Sequence, residues 1–320
     1  MNDVARCPLC QSGGLKTLKE YLFRFPGSDV ENHLTDTSFT RLWILFERVR
    51  HSREPAKFRT ELCPECGFIF SNPRFTVGEM KTKYDILIEL GSVKKTIEAF
   101  PSQRVPERAE RIFHLVEKHQ PRRAGKLRIL DYGGASGHNL VPFTHQHDCF
   151  VLDYEQWKLP QGVTYLGNDL DDLKSGERFD VILFLHTLEH VIDPAEVVRE
   201  MSSHLTDDGI LYVEVPLGAW REWGTLREPM THVNFWSEQS LLRCFRDAGL
   251  QTIHLSSSYQ WVTHNNGWCL NIIGTKDAAD RPIVARSKST AQQMASKQYY
   301  LPYFFNIPVL KGYIRRIVKR

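Results

Sequence analysis

The stretch ILDYGGASGH, residues 129–138, decides the fold. It begins apolar, reaches Asp131 and breaks into Gly133, Gly134 and Gly137. With Leu127 and Arg128 in front, it reads as a buried strand ending in a tight turn. Glycine lacks a Cβ, so backbone there can come close to a ligand. A helix expected over 137–145 would then offer free N–H groups to a carboxylate. A dinucleotide turn would need G-x-G-x-x-G. That register demands a glycine where this chain has His138. The spacing is instead D-x-G-x-A-x-G, with Ala135 in the middle.

Working outward, further strands are expected at 149–152, 163–166, 179–185, 210–215, 252–257 and 268–275. Helical patterns lie between several of them, at 137–145, 194–204 and 237–248, and a one-sided apolar stripe marks another at 107–119. Strands alternating with helices mean a parallel, doubly wound sheet. Only a loop, 258–267, joins the last two strands, and such a loop permits a hairpin but no parallel crossover. The fold class expected is α/β: a Rossmann-like, mostly parallel seven-stranded sheet with an antiparallel last strand, plus a small N-terminal zinc-binding module. The boundaries expected are 1–75 for an irregular zinc module, 76–120 for a helical linker or cap, 121–276 for the sheet domain and 277–320 for a basic, aromatic tail.

The ordered motifs resemble those of class I S-adenosylmethionine-dependent methyltransferases. That family carries an acidic residue and then G-x-G-x-G after its first strand. Asp131, Gly133 and Gly137 match; Ala135 adds one methyl at the middle position. The resemblance implies that Gly134 and the neighbouring backbone approach the cofactor. It also implies that Asp153, in VLDYE at 151–155, takes the ribose hydroxyls, since a carboxylate accepts from both. Asn168, Asp169 and Leu170, in GNDLDDL at 167–173, resemble the adenine pocket. FDVILFLHTLEHVIDP (179–194) looks like the fourth strand and its loop, with His186 at the carboxyl edge where open α/β sheets bind ligands. The resemblance covers about 107–275.

Two C-x-x-C pairs, Cys7–Cys10 and Cys63–Cys66, give four thiolates suited to tetrahedral zinc. The 52 residues between the pairs exceed what a compact ribbon needs, but the excess within 11–62 can loop out. CPECGFIFSNPRFTVGEMKTKYD (63–85) is similar to the N-terminal module of a methyltransferase subgroup that includes sugar C-methyltransferases. Phe68–Phe70, Asn72-Pro73 and Tyr84 carry that likeness. No counterpart of the large C-terminal domain of those enzymes is expected within residues 1–320. Cys149, Cys244 and Cys269 fall in sheet or helix and read as buried structural residues.

Composition bounds the function. Apolar content of 42% and charged content of 25% are those of a globular protein. The net charge of +3 supplies no global drive toward nucleic acid. No run of about 18 apolar residues suggests a membrane span. The N-terminus lacks the apolar core of a secretory signal, which points to the cytoplasm and to metal binding over disulfides. Methyl transfer needs alignment and an unprotonated nucleophile. His186, His190 and His232 are the candidate bases, and His232 could instead buttress a lid. Trp220, Trp223, Tyr259 and Trp261 could wall an acceptor pocket. The expected acceptor is a small molecule or glycan from sugar, surface-polysaccharide or secondary-metabolite biosynthesis.

Two rival readings are a zinc-containing RNA methyltransferase, suggested by Arg41, Arg48, Arg50, Arg53, Lys57 and Arg59, and a binding protein without catalysis. Finally, VLKGYIRRIVKR (309–320) sets an apolar stripe against a basic one at helical spacing. It could contact a membrane peripherally, dock on the chain itself, or join a second copy in a homo-oligomer.

Overall fold

A computed structural model describes residues 1–91, 105–120, 125–261, 266–278 and 281–296. The tail motif at 309–320 lies outside them.

The N-terminal part contains β1 (Lys16–Phe23), α1 (Thr37–Ile44), β2 (Ala56–Leu62), β3 (Ile69–Asn72), α2 (Val77–Glu89) and α3 (Val105–His119). The irregular module with a looped-out 11–62 is corrected here. β1 and β2 form an antiparallel hairpin around α1, and the small sheet runs β1-β2-β3-β9, with β9 at Asn234–Phe235. Alternation explains this: Ala56, Phe58 and Thr60 are buried while Lys57 faces solvent, which is the period of a half-buried strand. The punctuation by Cys, Pro and Gly in the knuckles hides that period in the sequence.

The large sheet contains β4 (Arg128–Tyr132), β5 (Asp148–Leu152), β6 (Val163–Gly167), β7 (Phe179–Leu185), β8 (Leu205–Pro216), β10 (Gln251–Trp261) and β11 (Asn266–Thr275). Its order is β10-β11-β8-β7-β4-β5-β6. The pairings from β8 through β6 are parallel, and β11 is antiparallel to both neighbours, as the short connection between β10 and β11 requires. α4 (Pro194–Ser203) and α5 (Glu238–Asp247) pack on one face. α3 covers the other, burying Ala109, Ile112 and Val116. Cys149, Cys244 and Cys269 are all buried. The helix expected over 137–145 is only a 3-10 turn, His138–Phe143, with Pro142 inside it. Proline removes a backbone donor and clashes with the preceding turn, so a full helix does not form.

The two sheets share one core. β9 (Asn234–Phe235), which follows the large sheet's β8 in the chain, pairs with β3. Cys7, Cys63, Phe68 and Phe70 belong to the same apolar cluster as Ile182, Phe184, Trp236 and Leu241. The Phe68 and Trp236 ring centroids lie 4.8 Å apart. α6 (Thr290–Ala295) closes the seam, with Thr290 Oγ1 donating to the Gly67 carbonyl at 2.7 Å.

Arg74 ties these parts together. It is 5% exposed and donates to the carbonyls of Val233 (3.2 Å), Val191 (3.3 Å) and Ile192 and to Asn234 Oδ1 (2.9 Å). Burial lowers its pKa to about 10, so it stays charged at neutral pH. Arg74→Ala would leave these acceptors dry. It is expected to reduce stability by about 2–3 kcal/mol in urea unfolding. A variant as stable as wild type would show that Arg74 does not hold the seam.

Candidate functional site

The carboxyl ends of β4, β5, β6 and β7 open into a cavity of about 500 Å³. Gly133, Ala135, Asp153, Asn168, Asp169, Leu170, His186 and His190 line it, and α2 roofs it with Val77, Met80, Tyr84 and Ile88. Tyr84 stacks on Tyr154, centroids 5.1 Å apart. A volume of this size holds a drug-sized molecule. The glycine turn is tight where expected. Gly133 has φ +71°, and a Cβ there would meet Thr187 Oγ1 at 2.5 Å. Ala135 also sits in the left-handed region, at φ 44°.

Asp131 does not line the cavity but stands behind Gly134, whose added Cβ would lie 2.7 Å from the Asp131 carboxyl carbon. It is 1% exposed. Asn139 reaches its Oδ2 at 3.4 Å, and its Oδ1 has no partner. Burial pushes its pKa up to about 7, against the pull of Arg108 and Asn139. Gly137 packs against Leu159, Val163 and Val151. Asp153 Oδ2 accepts from Ala135 N–H at 2.9 Å and Oδ1 from Glu155 N–H at 3.2 Å. Burial raises its pKa, opposed by those two donors. Asp169 Oδ1 accepts from Tyr132 O–H and Leu170 N–H, both at 2.8 Å. Asn168 Oδ1 accepts from Tyr165 O–H.

The three histidines separate. His186, at φ 52° just past β7, is held between two carboxylates: Nε2 lies 3.1 Å from Glu214 and Nδ1 3.4 Å from Glu189. Burial alone would lower its pKa, but Cys269, Glu189 and Glu214 hold it well above the ordinary value. An imidazole so placed keeps its proton, which argues against His186 as a base. His190 Nδ1 donates to the Thr231 carbonyl at 2.5 Å, leaving Nε2 with a lone pair. His232 Nδ1 pairs with Glu222. His232 does not line the cavity; its ring stands edge-on to His190, centroids 4.9 Å apart.

Sequence reasoning missed Glu214 and Arg108. Glu214 is fully buried and accepts from Arg108 at 3.0 Å, Arg111 at 2.9 Å and Gln260 at 2.7 Å. Its pKa stays well below the carboxylate range despite burial, because Arg108, His186 and Arg111 surround it. A charged residue inside an apolar strand, ILYVEVP, was the available signal. The expected aromatic wall does not border this cavity. Trp220, Trp223 and Tyr259 do not line the cavity, whose aromatic lining is Tyr84, Tyr132, Tyr154 and Trp157. Trp223 instead packs toward Ile69 and Phe235, and Tyr259 toward Trp268. The side chain of Trp261 lies outside the described residues.

At the N-terminal module, Cys7, Cys10, Cys63 and Cys66 bring their Sγ atoms within 4.8 Å of one another. Cys7–Cys66 and Cys10–Cys63 are each 3.6 Å apart. Zinc–sulfur bonds of about 2.3 Å in a tetrahedron space sulfurs by nearly this distance. In both knuckles the residue four after the first cysteine is left-handed, Gln11 at φ 61° and Gly67 at φ 70°. Each donates its N–H to the first cysteine's carbonyl at 2.9 Å. Four clustered thiolates repel without a cation, so the donor set fits zinc.

Sheet order, the glycine turn and the cavity at the strand ends are similar to those of class I S-adenosylmethionine-dependent methyltransferase domains. Residues 104–255 match the family described as "Methyltransferase domain". A ubiquinone biosynthesis O-methyltransferase of Rickettsia akari (strain Hartford) is 24% identical over 119 residues, 34% of this chain and 47% of that protein. The chain thus spans about half the length of the curated relative it matches. A Burkholderia thailandensis 1,6-didemethyltoxoflavin-N1-methyltransferase, solved with 1,6-didemethyltoxoflavin and S-adenosylhomocysteine, aligns with TM-score 0.51 and 13% identity over 67% of this chain and 98% of its own. The N-methyltransferase NodS of Bradyrhizobium japonicum WM9 aligns with TM-score 0.39 and 16% identity, over 53% and 94%. Among the described residues no helix is long and apolar enough to cross a membrane.

Proposed function

We propose that the chain is an S-adenosylmethionine-dependent methyltransferase of the cytoplasm acting on a small molecule or glycan, with zinc in its N-terminal module. One observation carries this: a single cavity runs from Asp153 and Asp169 to His190, roofed by a helix that follows the zinc module. When bound there, the cofactor supplies a methyl group on a cationic sulfur. Asp153 takes the ribose hydroxyls in exchange for the Ala135 N–H. Asn168, Asp169 and Leu170 border the adenine, and Tyr84 and Tyr154 cover the nucleoside. Gly133 and Ala135 give the backbone clearance, and Asp131, behind Gly134, sets a carboxyl group on the side of the cofactor's ammonium group without lining the cavity. The roof and the strand ends hold the acceptor in line. Of the three histidines, His190 is the one that lines the cavity with an open lone pair.

The likeness to the sugar C-methyltransferase subgroup supports a glycan or sugar acceptor. The RNA reading finds less support, since four of its five arginines are engaged locally. Arg53 pairs with Glu47 at 2.7 Å, Arg59 with Asp3 at 2.5 Å, and Arg48 and Arg50 lie over Trp43 and Phe46. S-adenosylhomocysteine release, measured with hydroxylated small molecules, glycan fragments and RNA, tests the proposal. Turnover is expected with one of the first two; turnover with RNA alone would overturn it.

Asp131 adds a pH-dependent expectation. Its folded pKa is raised, so the stability it contributes is present below the ordinary carboxyl range. That stability is lost as pH rises through about 7. An uncharged amide escapes the loss. Asp131→Asn is therefore expected to stabilise the ligand-free protein at pH 8 by about 1–3 kcal/mol. It should also weaken S-adenosylhomocysteine binding tenfold or more. Thermal melts at pH 6 and 8 and calorimetry check both; equal melts at pH 8 would show that the carboxyl carries no buried charge.

A further inference from the structure

Glu189, His190 and His232 meet beside the inner end of the cavity. The first two follow β7, and the third precedes β9, so the cluster joins the fixed strand end to the overlying segment. Glu189 is 2% exposed, and its Oε2 is buried with no hydrogen-bond partner. Its Oε1 lies 3.8 Å from His190 Nε2 and 4.0 Å from His232 Nε2. Both distances exceed hydrogen-bond length; Oε1 instead lies 3.4 Å from His186 Nδ1, and Oε2 stays without a partner. One ligand atom from each of the three lies within 4.8 Å of the other two. That is the spacing of atoms arranged around something between them, and metal–nitrogen and metal–oxygen bonds of about 2.0–2.2 Å need only a modest inward shift.

The supporting contacts point the same way. The Thr231 carbonyl can only accept, so His190 Nδ1 carries the proton. The Glu222 carboxylate orients His232 Nδ1 likewise. Each ring is fixed through Nδ1, which leaves Nε2 for the shared centre. A carbonyl or carboxylate behind each ligating imidazole is how proteins orient metal-binding histidines. Two imidazoles and one carboxylate suit a divalent first-row transition metal.

We propose that Glu189, His190 and His232 form a divalent-metal site, separate from the four cysteines, that holds the methyl acceptor through oxygen. Three protein ligands leave coordination positions open, and His190 places them at the cavity. A hydroxyl bound there is acidified by the metal. Its proton passes to water, its oxygen bonds to the methyl carbon, and the sulfur–carbon bond breaks to leave the neutral thioether. The acceptor class is then an alcohol or phenol, best one with a second oxygen adjacent that can chelate. This use of the site rests on the methyltransferase reading; the binding of metal does not.

Manganese(II) titrated into the full chain, followed by electron paramagnetic resonance of the free ion, tests it. Thiolate sites disfavour manganese, so the four cysteines do not compete. One ion per chain is expected. Glu189→Gln and His190→Gln should each weaken binding about 100-fold or more, and Glu222→Gln about 10–100-fold. Circular dichroism confirms that each variant is folded. Absence of binding by the wild-type chain, or undiminished binding by folded Glu189→Gln, overturns the site. S-adenosylhomocysteine calorimetry on the same samples separates the two readings. Cofactor binding without manganese binding overturns only the metal site. Manganese binding without cofactor binding supports the metal site and overturns the methyltransferase reading.

Discussion

Asp153→Ala is expected to weaken S-adenosylmethionine binding by about 1–3 kcal/mol, a loss of roughly five- to 150-fold. The carboxylate stands at the end of β5 beside the glycine turn, where it accepts from Ala135 and Glu155 N–H groups. Two ribose hydroxyls would meet a charged acceptor that is already oriented, and charge-assisted hydrogen bonds of this kind are the stronger class. Removing it also leaves the Ala135 N–H without its acceptor, so the turn itself loosens. Asp153→Asn keeps one accepting oxygen and should fall between the two. Titration calorimetry gives the answer directly, and unchanged affinity in Asp153→Ala would remove this residue from the cofactor site.

Loss of zinc should have the largest effect on stability. Structural zinc contributes on the order of 10 kcal/mol of folding free energy in small modules. Cys63→Ser with Cys66→Ser is expected to unfold the small sheet, and the damage should not stop at residue 75. β9 pairs with β3, Phe68 packs on Trp236, and Thr290 bonds Gly67. Each large apolar side chain released from this seam costs about 1.5–3 kcal/mol. Chelation should therefore raise amide exchange in 1–75 and also around 233–241 and 288–295. Exchange confined to 1–75 would show that the two sheets fold independently, and elemental analysis finding no zinc in the purified chain would reject the metal.

The large sheet was legible in the sequence because each strand is a compact apolar run between turn residues. The antiparallel β11 followed from the length of one connection. The small sheet was not, because β1 pairs with β2 across all of α1, β3 pairs with the distant β9, and β1 alternates only weakly amid charged residues such as Lys19 and Glu20. The failed helix after β4 was readable at Pro142, although the surrounding apolar pattern outweighed it. At the strand ends, Gly133 and Asp153 border the cavity, whereas Gly134 and Gly137 do not. Glu189 and Glu214 were not foreseen as partners of His186, since only the folded chain brings β7, β8 and α3 together. Spacing along a chain shows which residues share a turn, but not which charges a sheet will bury side by side.

The most direct measurement is calorimetric titration of S-adenosylhomocysteine into the full, zinc-loaded chain, with a Gly133→Val control. One binding site per chain is expected in the wild type. The control should lose it, because a side chain at position 133 would collide with Thr187 and fill the approach to the cavity. No binding by the folded wild-type chain, or equal binding by a folded Gly133→Val chain, would contradict the assignment of this cavity to the cofactor.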